Sequence, residues 1–174
     1  MYGFNNTYGL AVRKEIADQY NLKTYSDLAK ISNLLVFGAE YDFFEREDGY
    51  DPLSRAYGFR FAKTVDLDIG LKYQAISQGE IDVMVIFTTD GQLSTANITV
   101  LEDDLQFFPS YMCGNVVRDE VLTKHPELAD VLAKLDGILS DAERARMNYL
   151  VEGEGMDPKD VAHDFLRDAN LLNE

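Results

Sequence analysis

The chain has 174 residues, 46% of them hydrophobic, which is enough for one ordinary domain or for one domain with an appendage. Its 16 Lys and Arg residues against 31 Asp and Glu residues give a net charge of −15, which argues against a nucleic-acid backbone or an anionic membrane surface as a partner. The single cysteine, Cys113, excludes an internal disulfide and a cysteine-based zinc site, and no apolar run reaches the length of about 18 residues that a membrane span needs.

The first part of the chain alternates between predicted strands and helices. Hydrophobic patterning predicts strands at 6–13, 34–37, 60–65, 81–87 and 99–101. Helices are predicted at Lys14–Tyr20, 27–31, 40–47, 52–58, 70–77 and 92–96. Ser26 is the expected N-cap of the second helix, and the composition of 48–52 predicts a turn. This alternation predicts an α/β sheet with crossover connections.

The pattern changes after Leu101, and a helical tail follows. A last strand is predicted at 111–117, and the chain is predicted helical from Arg118 onward. Pro126 opens a helix at 127–135, Ser140 has capping-box spacing before a helix at 144–151, and Pro158 suits the first position of a final helix.

No catalytic or cofactor motif is present in the sequence. His125 and His163 lie on separate predicted helices, and the chain has no nucleophile elbow, phosphate loop or dinucleotide fingerprint. Glu45, Glu47, Asp48 and Asp51 form an acidic cluster without the alternate spacing of a calcium-binding loop, so a solvated loop is favoured there. The sequence therefore predicts neither an enzyme nor a cofactor.

Three aromatic residues stand at predicted strand ends, where open α/β sheets bind ligands. Tyr8 lies at the start of the first strand, and Phe87 ends the strand at 81–87. Tyr111 lies where the alternation of strands and helices gives way to the helical tail. Most of the ten Tyr and ten Phe residues are expected in the core, so these three are the candidates for a ligand site.

Long segments of the chain resemble a family of binding proteins. GFNNTYGLAVR, FFEREDGYDPL, IDVMVIFTTDGQL and VLEDDLQFFPSY, with the tail from His125 to Leu166, resemble the osmoprotectant-binding proteins of ABC transporters. These are receptors for the quaternary amines glycine betaine, carnitine and choline. The resemblance implies a type II periplasmic-binding-protein-like α/β lobe, with a mixed sheet flanked by helices and followed by a helical C-terminal tail.

The resemblance also implies how the chain relates to a larger protein. Residues 1–110 match the second α/β lobe of such a receptor, and residues 111–174 match the return crossing and the helical tail that would pack on a first lobe. No signal peptide or membrane anchor is recognised in this sequence. The resemblance nevertheless implies an extracytoplasmic parent protein, membrane-associated as a lipoprotein or a permease fusion. The expected partners are the membrane permease subunits, and uncovered apolar helix faces predict a homodimer of this chain.

The resemblance assigns the predicted site residue by residue. A quaternary ammonium has no N–H to donate, so aromatic faces must hold it. Tyr8, Phe87 and Tyr111 match the positions of cage aromatics, and Asn6 and Thr88 match polar positions beside them. Arg46 matches a basic residue that can hold a ligand carboxylate. A surface ion pair with Glu45, Glu47 or Asp48 is the alternative for Arg46, and a stand-alone α/β sensor or regulatory module is the alternative for the whole chain.

Overall fold

The computed structural model describes residues 1–172, which form two compact units that do not follow chain order. The first, here called the sheet unit, consists of residues 8–87 and 93–109. The second, the tail unit, consists of residues 1–7, 88–92 and those from Ser110 onward. The predicted division into residues 1–110 and 111–174 concerns the lobes of a larger protein and stays a prediction.

The sheet unit is built on one mixed five-stranded sheet. Its strands are β1 (Tyr8–Arg13), β2 (Val36–Ala39), β3 (Lys63–Asp66), β4 (Val83–Phe87) and β5 (Ile98–Val100), in the order β3-β2-β4-β1-β5. β2 runs parallel to β3 and β4, whereas β1 runs antiparallel to β4 and β5. The mixed α/β sheet that the sequence predicts is confirmed.

Strands β1 and β4, which are neighbours inside the sheet, are buried on both faces, and this burial explains their apolar sequences. Leu10 and Val12 of β1 pack into one hydrophobic cluster, and Ala11 between them packs into a second cluster on the opposite face. The VMVIF sequence of β4 is divided between the two faces in the same way, because successive side chains of a strand point to opposite sides. A covered strand of this kind reads as a continuous apolar run.

Five helices belong to the sheet unit. They are α1 (Lys14–Tyr20), α2 (Tyr25–Ala29), α3 (Tyr41–Glu45), α4 (Tyr50–Tyr57) and α5 (Lys72–Ser77), with a 3-10 turn at Ser32–Leu34. A second 3-10 turn, Gly91–Ser94, has its first two residues in the tail unit. The predicted turn at 48–52 is wrong at its end, because α4 already begins at Tyr50 and includes Pro52 in its first turn. Proline is tolerated there because the first helical N–H groups have no intrahelical partner.

The predicted cap of α2 is also wrong, since Thr24 caps this helix and Ser26 lies inside it. The Thr24 hydroxyl accepts a hydrogen bond from the Asp27 N–H at 3.1 Å, and the Asp27 carboxylate accepts one from the Thr24 N–H at 3.3 Å. Three residues after Ser26 the chain has Ala29, which cannot return a hydrogen bond. The reciprocal capping box therefore selects Thr24.

The tail unit contains the remaining helices, α6 (Asp119–Lys124), α7 (Glu127–Ala133), α8 (Asp141–Glu152) and α9 (Pro158–Asp168). Two predicted helix starts are confirmed: Ser140 and Glu143 form a capping box, and Pro158 occupies the first turn of α9. Among the helices of residues 1–172, none is long and apolar enough to cross a membrane.

The strand predicted at 111–117 is wrong. Met112 makes one isolated antiparallel bridge with Asn5, and the described backbone of 111–117 is otherwise irregular. The partner segment turns at Gly3, whose φ of 111° is a conformation that glycine adopts readily. That turn interrupts the ladder that an extended pair would need.

Candidate functional site

Four aromatic rings meet where β1 begins and β4 ends. Tyr8 is in register with Phe87, and their ring centroids lie 5.0 Å apart. Phe43 from α3 lies 5.2 Å from the Tyr8 ring, and Phe108 lies 5.6 Å from it. Distances of this size are typical of packed aromatic pairs. We call these four residues the ring cluster.

A cavity of about 490 Å³ in the sheet unit is bounded in part by the ring cluster. Its wall residues are Tyr8, Glu40, Tyr41, Asp42, Phe43, Asp66, Leu67, Asp68, Ile69 and Phe87. The wall therefore combines aromatic faces with carboxylates, and both kinds of group attract a cation.

The sheet topology explains why these residues meet. β2, β3 and β4 are parallel, so their carboxyl ends lie at one edge of the sheet, and the antiparallel strand β1 begins at that same edge. The segments after β2 and β3 supply Glu40 and Asp68, while β4 ends at Phe87. Ligands in open α/β sheets bind at such carboxyl ends.

Arg46, directly after α3, contacts both Asp48 and the Tyr8 ring in the sheet unit. Its guanidinium donates hydrogen bonds of 2.6 and 2.8 Å to the Asp48 carboxylate, which is one of the ion pairs that the sequence alternative names. Its Cζ also lies 5.5 Å from the centroid of the Tyr8 ring. Burial raises the pKa of the Tyr8 phenol above its ordinary value, although the Arg46 charge acts to lower it. Tyr8 therefore presents a neutral ring at physiological pH.

Sequence reasoning missed a buried ion pair beside the same rings. Lys72 Nζ lies 2.9 Å from Glu40 Oε1, and Lys72 is only 2% exposed. A signal for it was present in the sequence, because Lys72 lies one helical turn before Ile76 on the buried face of α5. A lysine on an apolar face needs a partner when it is buried, and that partner is Glu40.

The other three predicted site residues belong to the tail unit. The Asn6 side-chain oxygen accepts a hydrogen bond from the Thr89 hydroxyl at 2.7 Å, and the Asn6 N–H donates to the Tyr111 carbonyl at 3.3 Å. The Thr88 hydroxyl donates to the Asn5 carbonyl at 3.0 Å. The structure thus brings Tyr8, Arg46 and Phe87 together in one unit, and Asn6 and Tyr111 together in the other. Their roles as ligand contacts stay predictions.

Comparison with known proteins gives a consistent picture. Residues 1–168 match the substrate-binding domain of ABC-type glycine betaine transport systems. An ergothioneine transport permease/ergothioneine-binding protein of Helicobacter pylori strain G27 is 44% identical over 98% of this chain and 31% of its own length. A carnitine transport binding protein of Listeria monocytogenes is 42% identical over 98% of this chain and 56% of its own length.

Solved structures agree with the sequence relatives. The crystal structure of a glycine betaine/carnitine/choline ABC transporter protein superimposes with a TM-score of 0.81 at 41% identity, covering 99% of this chain and 63% of the other. A lactococcal protein in its closed, glycine betaine-bound conformation shares the fold, with a TM-score of 0.65 at 18% identity over 97% of this chain and 66% of the other. This chain spans about a third to just over half of the length of the curated relatives named above.

These matches confirm the predicted type II periplasmic-binding-protein fold, and they favour a transport role over a stand-alone sensor. Proteins of this kind bind small solutes outside the cytoplasm and deliver them to permease subunits; they are not enzymes. The match over residues 1–168 shows that the chain belongs to the family of substrate-binding domains of ABC-type glycine betaine transport systems.

Proposed function

We propose that this chain captures quaternary-ammonium osmoprotectants, namely glycine betaine, carnitine or choline, for uptake by an ABC transporter. The observation that carries this proposal is the meeting of the Tyr8 and Phe87 rings at the wall of a carboxylate-lined cavity. The proposed mode of binding is an aromatic cage for the ammonium group, with no bond made or broken.

The physical case for a cage is that a quaternary ammonium cannot be held by donating hydrogen bonds. Each aromatic face contributes about 0.5–1 kcal/mol when it is exposed and about 2 kcal/mol or more when it is desolvated, so several faces must converge. Asp42, Asp66 and Asp68 add long-range attraction for a cation at the same wall. The net charge of −15 acts in the same direction for the chain as a whole, although solubility alone also explains that charge.

Arg46 is the proposed partner for a ligand carboxylate. Its planar guanidinium can donate two parallel hydrogen bonds, as it does to Asp48. Glycine betaine and carnitine carry a carboxylate and choline does not, so Arg46 would distinguish between these ligands. Asn6, Thr88 and Tyr111 remain proposed contacts to the same class of ligand.

Ergothioneine is a second candidate ligand. The Helicobacter pylori relative that carries ergothioneine in its name is 44% identical to this chain. Ergothioneine is itself a trimethylammonium carboxylate with a thioimidazole ring, so the same aromatic faces and the same guanidinium would suit it. We therefore include it among the ligands to be tested.

The setting of the chain is part of the proposal. We propose that the whole protein acts outside the cytoplasm, held at the membrane as a lipoprotein or by fusion to a permease, and that it delivers its ligand to permease subunits. A homodimer of this chain through apolar faces of its tail helices is proposed as well, and its test is argued below.

The test is titration of the chain with choline, carnitine, glycine betaine and ergothioneine, followed by isothermal calorimetry and by ligand-observed NMR for millimolar affinities. We expect at least one of them to bind, and we expect Tyr8→Ala to weaken that binding at least tenfold, since one desolvated aromatic face is lost. Tyr20→Ala, at an exposed tyrosine of α1, is the matched control and should change nothing. Absence of binding by all four ligands at millimolar concentration would contradict the proposal.

A further inference from the structure

Lys72 is a buried cation in direct contact with the proposed cage. It is the first residue of α5, it is 2% exposed, and its Nζ lies 2.9 Å from Glu40 Oε1. The same Nζ lies 4.9 Å from the centroid of the Phe87 ring and 5.8 Å from that of Tyr73. Phe87 therefore already interacts with a cation that belongs to the chain itself.

Glu40 connects this buried charge to the cavity. It precedes α3, it forms part of the cavity wall, and its side chain is 16% exposed. Without Lys72, its carboxylate would stand in the wall as one more negative charge beside Asp42, Asp66 and Asp68. The ammonium of Lys72 offsets that charge, so the wall is less attractive to a bare cation than its carboxylates alone suggest.

We infer that Lys72 is a specificity-determining residue, which favours solutes that carry both an ammonium and a carboxylate over solutes that carry an ammonium alone. This inference rests on the proposed function, because it concerns the same cavity. A bare cation is repelled by the Lys72 charge and has no carboxylate of its own that this charge could attract. In a zwitterion, the attraction between Lys72 and the ligand carboxylate cancels much of that repulsion.

Removing either charge of the Lys72–Glu40 pair should therefore change the ratio of the affinities for choline and glycine betaine. The two removals should change that ratio in opposite directions. Lys72→Met removes the ammonium and keeps the Glu40 carboxylate. We therefore expect the affinity for choline to rise relative to the affinity for glycine betaine by a factor on the order of ten. Glu40→Gln removes the carboxylate and keeps the Lys72 charge, so we expect the affinity for choline to fall relative to that for glycine betaine by a similar factor. The double variant should return to the ratio of the unaltered chain, because both charges are gone.

The measurement is the ratio of the two dissociation constants for the unaltered chain and the three variants, by calorimetry or ligand-observed NMR. Lys63→Met, which removes an exposed lysine charge from β3, is the matched control and should leave the ratio unchanged. Thermal melts check that each variant is folded. Glu40→Gln retains the shape of the side chain, so its sign tests the inference if Lys72→Met does not fold.

Equal loss of affinity for both ligands in every variant would overturn the inference and assign the pair a purely structural role. A shift of the ratio in the same direction in both single variants would overturn it as well. Failure of the proposed function looks different, because then the unaltered chain itself would bind neither ligand.

Discussion

Arg46 contacts both Asp48 and the Tyr8 ring, and the two contacts indicate different roles for its side chain. Its bond to Asp48 is what a surface ion pair needs, and its position beside the Tyr8 ring is what a ligand carboxylate partner needs. A guanidinium has five N–H donors, and the Asp48 carboxylate accepts hydrogen bonds from two of its nitrogens. The two functions differ in their dependence on the ligand.

We predict that Arg46→Met weakens the binding of glycine betaine and carnitine at least tenfold and does not weaken the binding of choline, because a charge-assisted hydrogen bond contributes roughly 1.5–3 kcal/mol and choline has no carboxylate to accept it. Calorimetric titration of the three ligands measures this. Arg55→Met, at an exposed arginine of α4, is the control. An equal loss for choline would mean that Arg46 supports the Tyr8 ring instead.

Single residues also show what sequence reasoning could and could not find in the site. Tyr8 and Phe87 were predicted together because strand ends are ligand positions, and antiparallel pairing of β1 with β4 does bring their rings together. Glu40 and Lys72 were missed because a lysine on a buried helix face indicates that it needs a partner but not which residue supplies it. Only the packing of α5 beside the segment after β2 shows that the two charges form a pair.

At the scale of elements, α2 offers a direct test of how its start is specified. We predict that Thr24→Ala lowers the free energy of unfolding by about 1 kcal/mol, because it removes a capping box, and that Ser26→Ala costs less than about 0.5 kcal/mol. Urea denaturation of both variants measures this difference. Ser26 is the control because it lies inside α2, two residues after the cap, and its hydroxyl contacts the exposed Asp104 carboxylate and not the start of the helix. Equal costs would contradict the assignment of Thr24 as the cap.

The helices whose ends are specified by neighbouring residues in the sequence, such as caps and prolines, were predicted most accurately. Lys14–Tyr20 was predicted with its observed ends, and the capping box at Ser140 and the proline at the start of α9 were found in their predicted places. The apolar run at 34–37 predicted a strand two residues too early, because Leu34 lies in a 3-10 turn and is 60% exposed. An apolar run does not show which of its residues are covered, since that depends on the neighbouring strand.

At the scale of the whole molecule, the tail helices carry apolar residues that their own unit does not bury. None of the described residues of α6, α7 or α8 is buried, and Leu128, Leu132 and Leu135 of the predicted stripe are half-buried. Val131 on the same stripe is 54% exposed. Apolar surface that stays in contact with water favours association with another surface.

We therefore predict that this chain forms a homodimer through the stripe on α7, and that Val131→Lys shifts it toward monomer, because burying a lysine in an apolar contact is costly. Static light scattering across a concentration series measures the mass. Ala133→Lys adds the same charge at an exposed position roughly on the opposite side of α7, so it should leave the dimer intact. A clean monomer at high concentration would contradict the prediction. A dimer that resists Val131→Lys would place the contact on another surface.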